Sequence, residues 1–188
     1  PKLAPMRAAD IADDLTDILV TEEQIYAKLD EIAARVAADY AGKDLLLVGV
    51  LKGAVMVMAD FARALPINAP MDWMAVSSYG AGTKSSGVVQ IRKDLDTDLH
   101  GKHVLIVEDI IDSGLTLSWL LENFASRGAA SIEVFALLRK PEAAKVEIHS
   151  RYVGFDIPNE FVVGYGLDYA ERYRNLRDVA VLAPHVYE

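Results

Sequence analysis

The feature that most constrains the fold is residues 103–117, HVLIVEDIIDSGLTL. Residues 103–107 are almost unbroken apolar and β-branched, the pattern of a strand buried on both faces of a parallel sheet. Glu108 and Asp109 follow, then two isoleucines, then Asp112-Ser113-Gly114. Beyond them Leu115, Leu117, Leu120, Leu121 and Phe124 recur at helical spacing. A buried strand therefore ends in acid, turns through Asp-Ser-Gly and enters a helix.

That order suits anion chemistry. The first turn of a helix presents N–H groups without internal partners, and the positive end of the dipole favours a phosphate there. Gly114 permits close backbone approach, and the Ser113 and Thr116 hydroxyls can add donors. The neighbouring carboxylates can hold a divalent metal or hydrogen-bond the hydroxyls of a sugar. The plainer alternative makes Asp112 or Ser113 a helix N-cap. Capping accounts for one acid or hydroxyl, and leaves unexplained three carboxylates crowded within five residues (Glu108, Asp109 and Asp112).

At 188 residues the chain fits one domain with a sizeable core. Its hydrophobic content of 52% argues against disorder, and a net charge of −9 argues against nucleic acid or an anionic membrane as partner. Zero cysteines exclude disulfides and thiolate metal sites and suit a cytoplasmic location. No apolar run approaches the ~20 residues that span a bilayer, and no signal peptide opens the sequence.

Along the chain, residues 1–20 are acidic and mildly amphipathic, with Ile11, Leu15, Ile18 and Leu19 at helical or near-helical spacing. Thr21-Glu22-Glu23-Gln24 reads as a capping box, followed by an apolar stripe (Ile25, Leu29, Ile32, Val36, Tyr40) and a stop at Gly42. Residues 45–51 form a buried strand, leading through Lys52-Gly53 into a helix over 54–65 that Pro66 closes. Lys52-Gly53 is either a backbone-plus-charge anion site or a solvated lysine at a tight turn. Strands are expected at 71–79 and from 88–91, flanking a small, polar run at 80–87 that reads as an enzyme lid or as a plain loop tip. Gly128 caps the helix after residue 115, and 131–138 is another buried strand with Lys140 just past its end. In the last third, 161–163 reads as a core strand, Asp168 as a turn residue and 179–182 as a short closing strand. Alternating strands and helices predict a parallel α/β sheet with its ligand at the C-terminal strand edge, where Lys52, Asp112 and Lys140 all fall.

Residues 107–117 resemble the phosphoribosyl-pyrophosphate (PRPP) signature of the type I phosphoribosyltransferases. The isoleucine pair, Leu51-Lys52-Gly53, Ser78-Tyr79-Gly80, Lys140 and the run 161–169 (FVVGYGLDY) are similar to the hypoxanthine-guanine branch. The resemblance covers about residues 45–182. It implies one domain over 1–188: a parallel-sheet core at about 40–150, and a small hood from N- and C-terminal segments at about 1–20 and 151–188.

The implied reaction is displacement at the ribose C1 of PRPP by a 6-oxopurine nitrogen, giving IMP or GMP and pyrophosphate, with magnesium (Mg2+) on the polyphosphate. By resemblance, Ser113, Gly114, Leu115, Thr116 and Leu117 cradle the 5′-phosphate. Glu108 and Asp109 hold the ribose hydroxyls directly or through metal-bound water. Asp112 accepts the purine N7 proton as general base. Lys52, Gly53 and Arg174 face pyrophosphate, with a cis peptide at Leu51–Lys52, while Ser78 and Tyr79 belong to the closing loop. Lys140 contacts the exocyclic oxygen, Phe161 stacks on the base, Val162 reads its edge through the backbone, and Asp168 serves a second metal near the base. Arg172 and Arg177 are expected to be solvated. One departure stands out: many relatives carry lysine where this chain has Leu115.

Alternatives are a sister enzyme for xanthine, or a non-catalytic phosphoribosyltransferase-like regulator. The regulator leaves the lid, Lys140 and Arg174 without a role. The partners expected are small molecules (PRPP and the base) and further copies of the chain, as a homo-dimer or homo-tetramer.

Overall fold

The computed structural model describes residues 4–78 and 89–188, and for Ser78 the backbone alone. Tyr79 and the expected lid at 80–87 lie outside the described residues. The chain runs β1 (Leu15–Val20), α1 (Glu22–Asp39), β2 (Leu45–Leu51), α2 (Val55–Ala64), β3 (Met71–Ser78), β4 (Val89–Lys93), β5 (His103–Ile111) and α3 (Leu115–Ala125). It continues through β6 (Ser131–Arg139), β7 (Tyr152–Asp156), β8 (Val162–Val163), β9 (Val179–Leu182) and α4 (Pro184–Tyr187). Six strands form one sheet in the order β4-β3-β2-β5-β6-β7, parallel except for β4. β1, β9 and β8 form a second, antiparallel sheet.

The apolar runs within β2, β5 and β6 have a direct cause: both faces of the sheet are covered. Leu45, Leu47, Leu105, Val107, Phe135 and Leu137 pack with the stripe of α1 and with Val57, Met58 and Phe61 of α2. Their strand neighbours Leu46, Val48, Val104, Ile106, Val134 and Ala136 pack on the other face against Leu117, Leu120 and Phe124 of α3. The α1 capping box forms as expected: Gln24 N donates to Thr21 Oγ1 at 3.3 Å, and Thr21 N to Gln24 Oε1 at 2.9 Å.

The helical reading of the first twenty residues is corrected in part. A 3-10 helix covers Ala8–Asp14, but Leu15–Val20 is a strand paired with β9. Register shifts between Leu15 and Asp17 and between Ile18 and Val20 break the two-residue alternation, so the apolar positions mimic helical spacing.

Asp72 is a buried acid that anchors the sheet edge. It is 5% exposed, and its carboxylate accepts from the backbone N–H groups of Trp73, Asp96 and Thr97 at 2.8, 2.9 and 2.8 Å. Burial pushes its pKa up, but those donors outweigh it and hold the pKa below the usual carboxylate value. Asp72→Asn should therefore cost about 1–3 kcal/mol in urea denaturation at neutral pH. A depressed folded pKa stabilises fully above the unfolded value, about 4, and its contribution disappears as pH falls through the folded value. The gap between wild type and variant should narrow below about pH 4; a constant gap down to pH 2 would contradict this role.

Candidate active site

Lys52, Asp112 and Lys140 directly follow the last residues of β2, β5 and β6, three adjacent strands. From β2 the chain winds outward to β3, and from β5 it winds the opposite way to β6 and β7. The crevice between β2 and β5 is thus the switch point at which doubly wound sheets take their ligands.

The turn after β5 is built around Gly114, whose φ of +81° and ψ of −3° place it in the left-handed region just before α3. A Cβ there would press on Ile148 and Val146 at 3.0 and 3.1 Å. Neither Asp112 nor Ser113 is the N-cap of α3: Gly114 holds that position without a side-chain cap, and Ser113 Oγ only meets Leu115 N at 3.4 Å. The first-turn donors of α3 are therefore available to an anion. A cleft of about 210 Å³ opens here, lined among others by Val50, Glu108, Asp112, Ser113, Gly114 and Thr116. Leu115 is half-buried at the start of the helix, and Leu117 is buried in the core below it.

β5 is four residues longer than its apolar run suggests, so Glu108 and Asp109 lie within the strand and not past its end. Asp109 packs on the turn after β2: a Cβ at Gly53 would fall on the Asp109 carboxylate, and one at Gly166 on the Gly53 carbonyl oxygen. Three chain segments thus meet where no side chain fits. Burial, then the neighbouring Asp109, pushes the Glu108 pKa well up. Burial likewise raises Asp109, to about 6, although its own and the Ile110 backbone N–H groups and Arg174 pull it down. Among the described residues no cation pairs with either acid, and no cluster of three or more His, Asp or Glu forms a ready-made metal cage. Two desolvated carboxylates at a crevice fit an ion that takes its other ligands from water and a substrate's phosphates.

Lys140 is 7% exposed, and its ammonium lies 3.4 Å from Asp112 Oδ2. Lys140 N also donates to the Ile111 carbonyl at 2.9 Å, tying the ends of β5 and β6 together. A buried ammonium at a strand end, facing the cleft's own aspartate, is costly as mere structure.

On the other side of the crevice, Lys52 follows a cis Leu51–Lys52 peptide, and its ammonium lies 3.2 Å from Glu171 Oε2. Arg174 contacts the same carboxylate at 3.1 Å, lies 3.3 Å from Asp168 Oδ1, and donates to the Gly166 carbonyl at 2.6 Å. Asp168 in turn accepts from Glu171 N at 2.9 Å. Glu171, which sequence reasoning missed, therefore bridges the two candidate pyrophosphate cations; Arg174 and Lys52 hold its pKa down. The available signal was spacing, since Asp168, Glu171 and Arg174 recur every third residue. The backbone here is strained: Tyr165, Ala170, Glu171 and Tyr173 all have positive φ, between 49° and 76°.

Phe161 is a 39% exposed ring next to buried Val162. Arg172 and Arg177 are paired, to Asp14 at 3.5 Å and Glu22 at 2.6 Å, and so tie this segment to the first third of the chain. A larger cavity of about 400 Å³ behind Arg174 holds none of the other candidate residues.

The phosphoribosyl transferase domain family matches residues 16–170. The hypoxanthine-guanine phosphoribosyltransferase of Mycobacterium tuberculosis is 52% identical over 99% of this chain and 96% of its own length. That of Bacillus subtilis is 52% identical over 93% of this chain and 97% of its own. A hypoxanthine phosphoribosyltransferase structure from Staphylococcus aureus superposes with a TM-score of 0.92 at 46% identity, covering 95% of this chain and 97% of that one. One from Trypanosoma cruzi, solved as a ternary substrates complex, gives a TM-score of 0.89 at 44% identity over 94% of this chain and 100% of that one. With half its residues shared across nearly its whole length, and with the acid-rich turn set at the switch point, the chain belongs to the phosphoribosyltransferase family, in the hypoxanthine-guanine group.

Proposed function

We infer that the protein is a purine salvage enzyme that transfers the 5-phosphoribosyl group of PRPP to hypoxanthine or guanine, giving IMP or GMP and pyrophosphate. The observation that carries this reading is the buried Lys140 facing Asp112 across the mouth of the phosphate-binding turn. In this reading the N–H groups of residues 113–117 bind the 5′-phosphate, and because the backbone does the binding, Leu115 in place of lysine is tolerated. Glu108 and Asp109 take the ribose hydroxyls.

Lys52, Gly53 and Arg174 receive pyrophosphate, with Ser78 and Tyr79 contributing to PRPP binding. Phe161 stacks on the base and the Val162 backbone reads its edge. As the C1–oxygen bond to pyrophosphate breaks and the C1–nitrogen bond forms, the purine N7 proton passes to the Asp112 carboxylate. Lys140 donates to the 6-oxo group, which an adenine amine cannot accept. Glu108, Asp109 and, for a second ion, Asp168 are the residues that would hold magnesium. Bound magnesium would spread the charge of the leaving pyrophosphate.

One mixture tests the reading: protein, PRPP and magnesium with hypoxanthine, guanine, xanthine or adenine, followed by absorbance. Nucleotide should form with hypoxanthine and guanine and not with adenine, and chelating the metal should abolish it. Transfer to xanthine alone, or to no base, would overturn it. A cytoplasmic homo-oligomer completes the proposal. Among the described residues no helix is long and apolar enough to cross a membrane.

A further inference from the structure

Phe161 is braced by two tyrosines. The Phe161 and Tyr187 rings lie nearly parallel, 21° apart with centroids at 4.9 Å, a stacked pair. Tyr169 stands edge-on to both, at 5.7 Å from Phe161 and 6.3 Å from Tyr187. The backbone sets this up. Leu182 N at the end of β9 donates to the Phe161 carbonyl at 2.8 Å, and Ala183 N to the Asp14 carbonyl at 2.7 Å. Those two bonds swing α4 back over Phe161. A single-turn helix has little stability of its own, so its position follows from these anchors and from the ring stack.

Phe161 stacks on Tyr187 and is still 39% exposed, which leaves ring surface for a second stacking partner. An unsupported surface ring turns about its side-chain torsions and must be immobilised when a base stacks on it. A ring already stacked from behind has met that cost before the base arrives. Tyr187 is itself 37% exposed, which makes core stability a poor account of its placement.

We propose that Tyr187 is a positioning residue for the purine: it backs Phe161 and sets the plane on which the base stacks. The proposal rests on Phe161 being the stacking ring of the proposed function. Steady-state kinetics of wild type, Tyr187→Phe and Tyr187→Ala, with hypoxanthine and PRPP varied in turn, test it. Tyr187→Ala should raise the KM for hypoxanthine roughly 2- to 12-fold, the worth of an aromatic pair, with the KM for PRPP unchanged. Tyr187→Phe, which keeps the ring, should restore the wild-type value. An unchanged or lower hypoxanthine KM in Tyr187→Ala, an equal rise in both KM values, or no rescue by phenylalanine overturns the proposal. Wild type that transfers to hypoxanthine while Tyr187→Ala is unaffected sinks this inference alone; wild type that transfers to no purine removes the proposed function with it.

Discussion

Asp112→Asn should lower turnover by roughly 10²–10⁴-fold, the usual worth of a general base, while PRPP binding measured by calorimetry stays close to wild type. Asparagine keeps the shape of the side chain and can still accept a hydrogen bond, but it cannot take the purine proton. Asp112 is 54% exposed, so the fold does not depend on its burial. Its partner among the described residues is the Lys140 ammonium at 3.4 Å, a contact the amide oxygen can keep in weakened form. The loss should therefore appear in kcat and leave the melting temperature nearly unchanged. Full turnover by the variant would remove Asp112 from the base role.

Lys140→Ala carries the second large effect. Hydrogen bonds to charged groups are worth about 1.5–3 kcal/mol, so kcat/KM for hypoxanthine should fall roughly 10- to 150-fold. The KM for PRPP should change little, because the 5′-phosphate and pyrophosphate contacts come from other segments. Selectivity should fall as well. Wild type rejects adenine because a 6-amino group leaves the buried ammonium unpaired, and without that ammonium the margin of hypoxanthine over adenine should shrink. Equal losses in purine and PRPP use would contradict the assignment of Lys140 to the 6-oxo group.

The core was legible in the sequence because burial on both faces gives β2, β5 and β6 long apolar runs. The ends of the β2 and β6 runs located Lys52 and Lys140 just past their strands, since a strand's apolar stretch stops at the sheet edge. The same logic misjudged β5, where Glu108 and Asp109 interrupt the apolar run but the ladder with β6 continues to Ile111. β1 was hidden for a different reason, its two register shifts against β9 erasing the alternation. For Glu171 the three-residue spacing with Asp168 and Arg174 was a signal, but its pairing with Lys52 was hidden, as was that of Tyr187 with Phe161, because these partners are distant in the chain. No local pattern reports such a meeting; only the closed fold does.

The most direct test of the account is a crystal structure with hypoxanthine and an unreactive PRPP analogue bound. The 5′-phosphate should sit on the N–H groups of residues 113–117, with an Asp112 carboxylate oxygen about 2.6–3.2 Å from N7 of the base. A phosphate bound away from that turn, or an aspartate facing away from the ring, would contradict it.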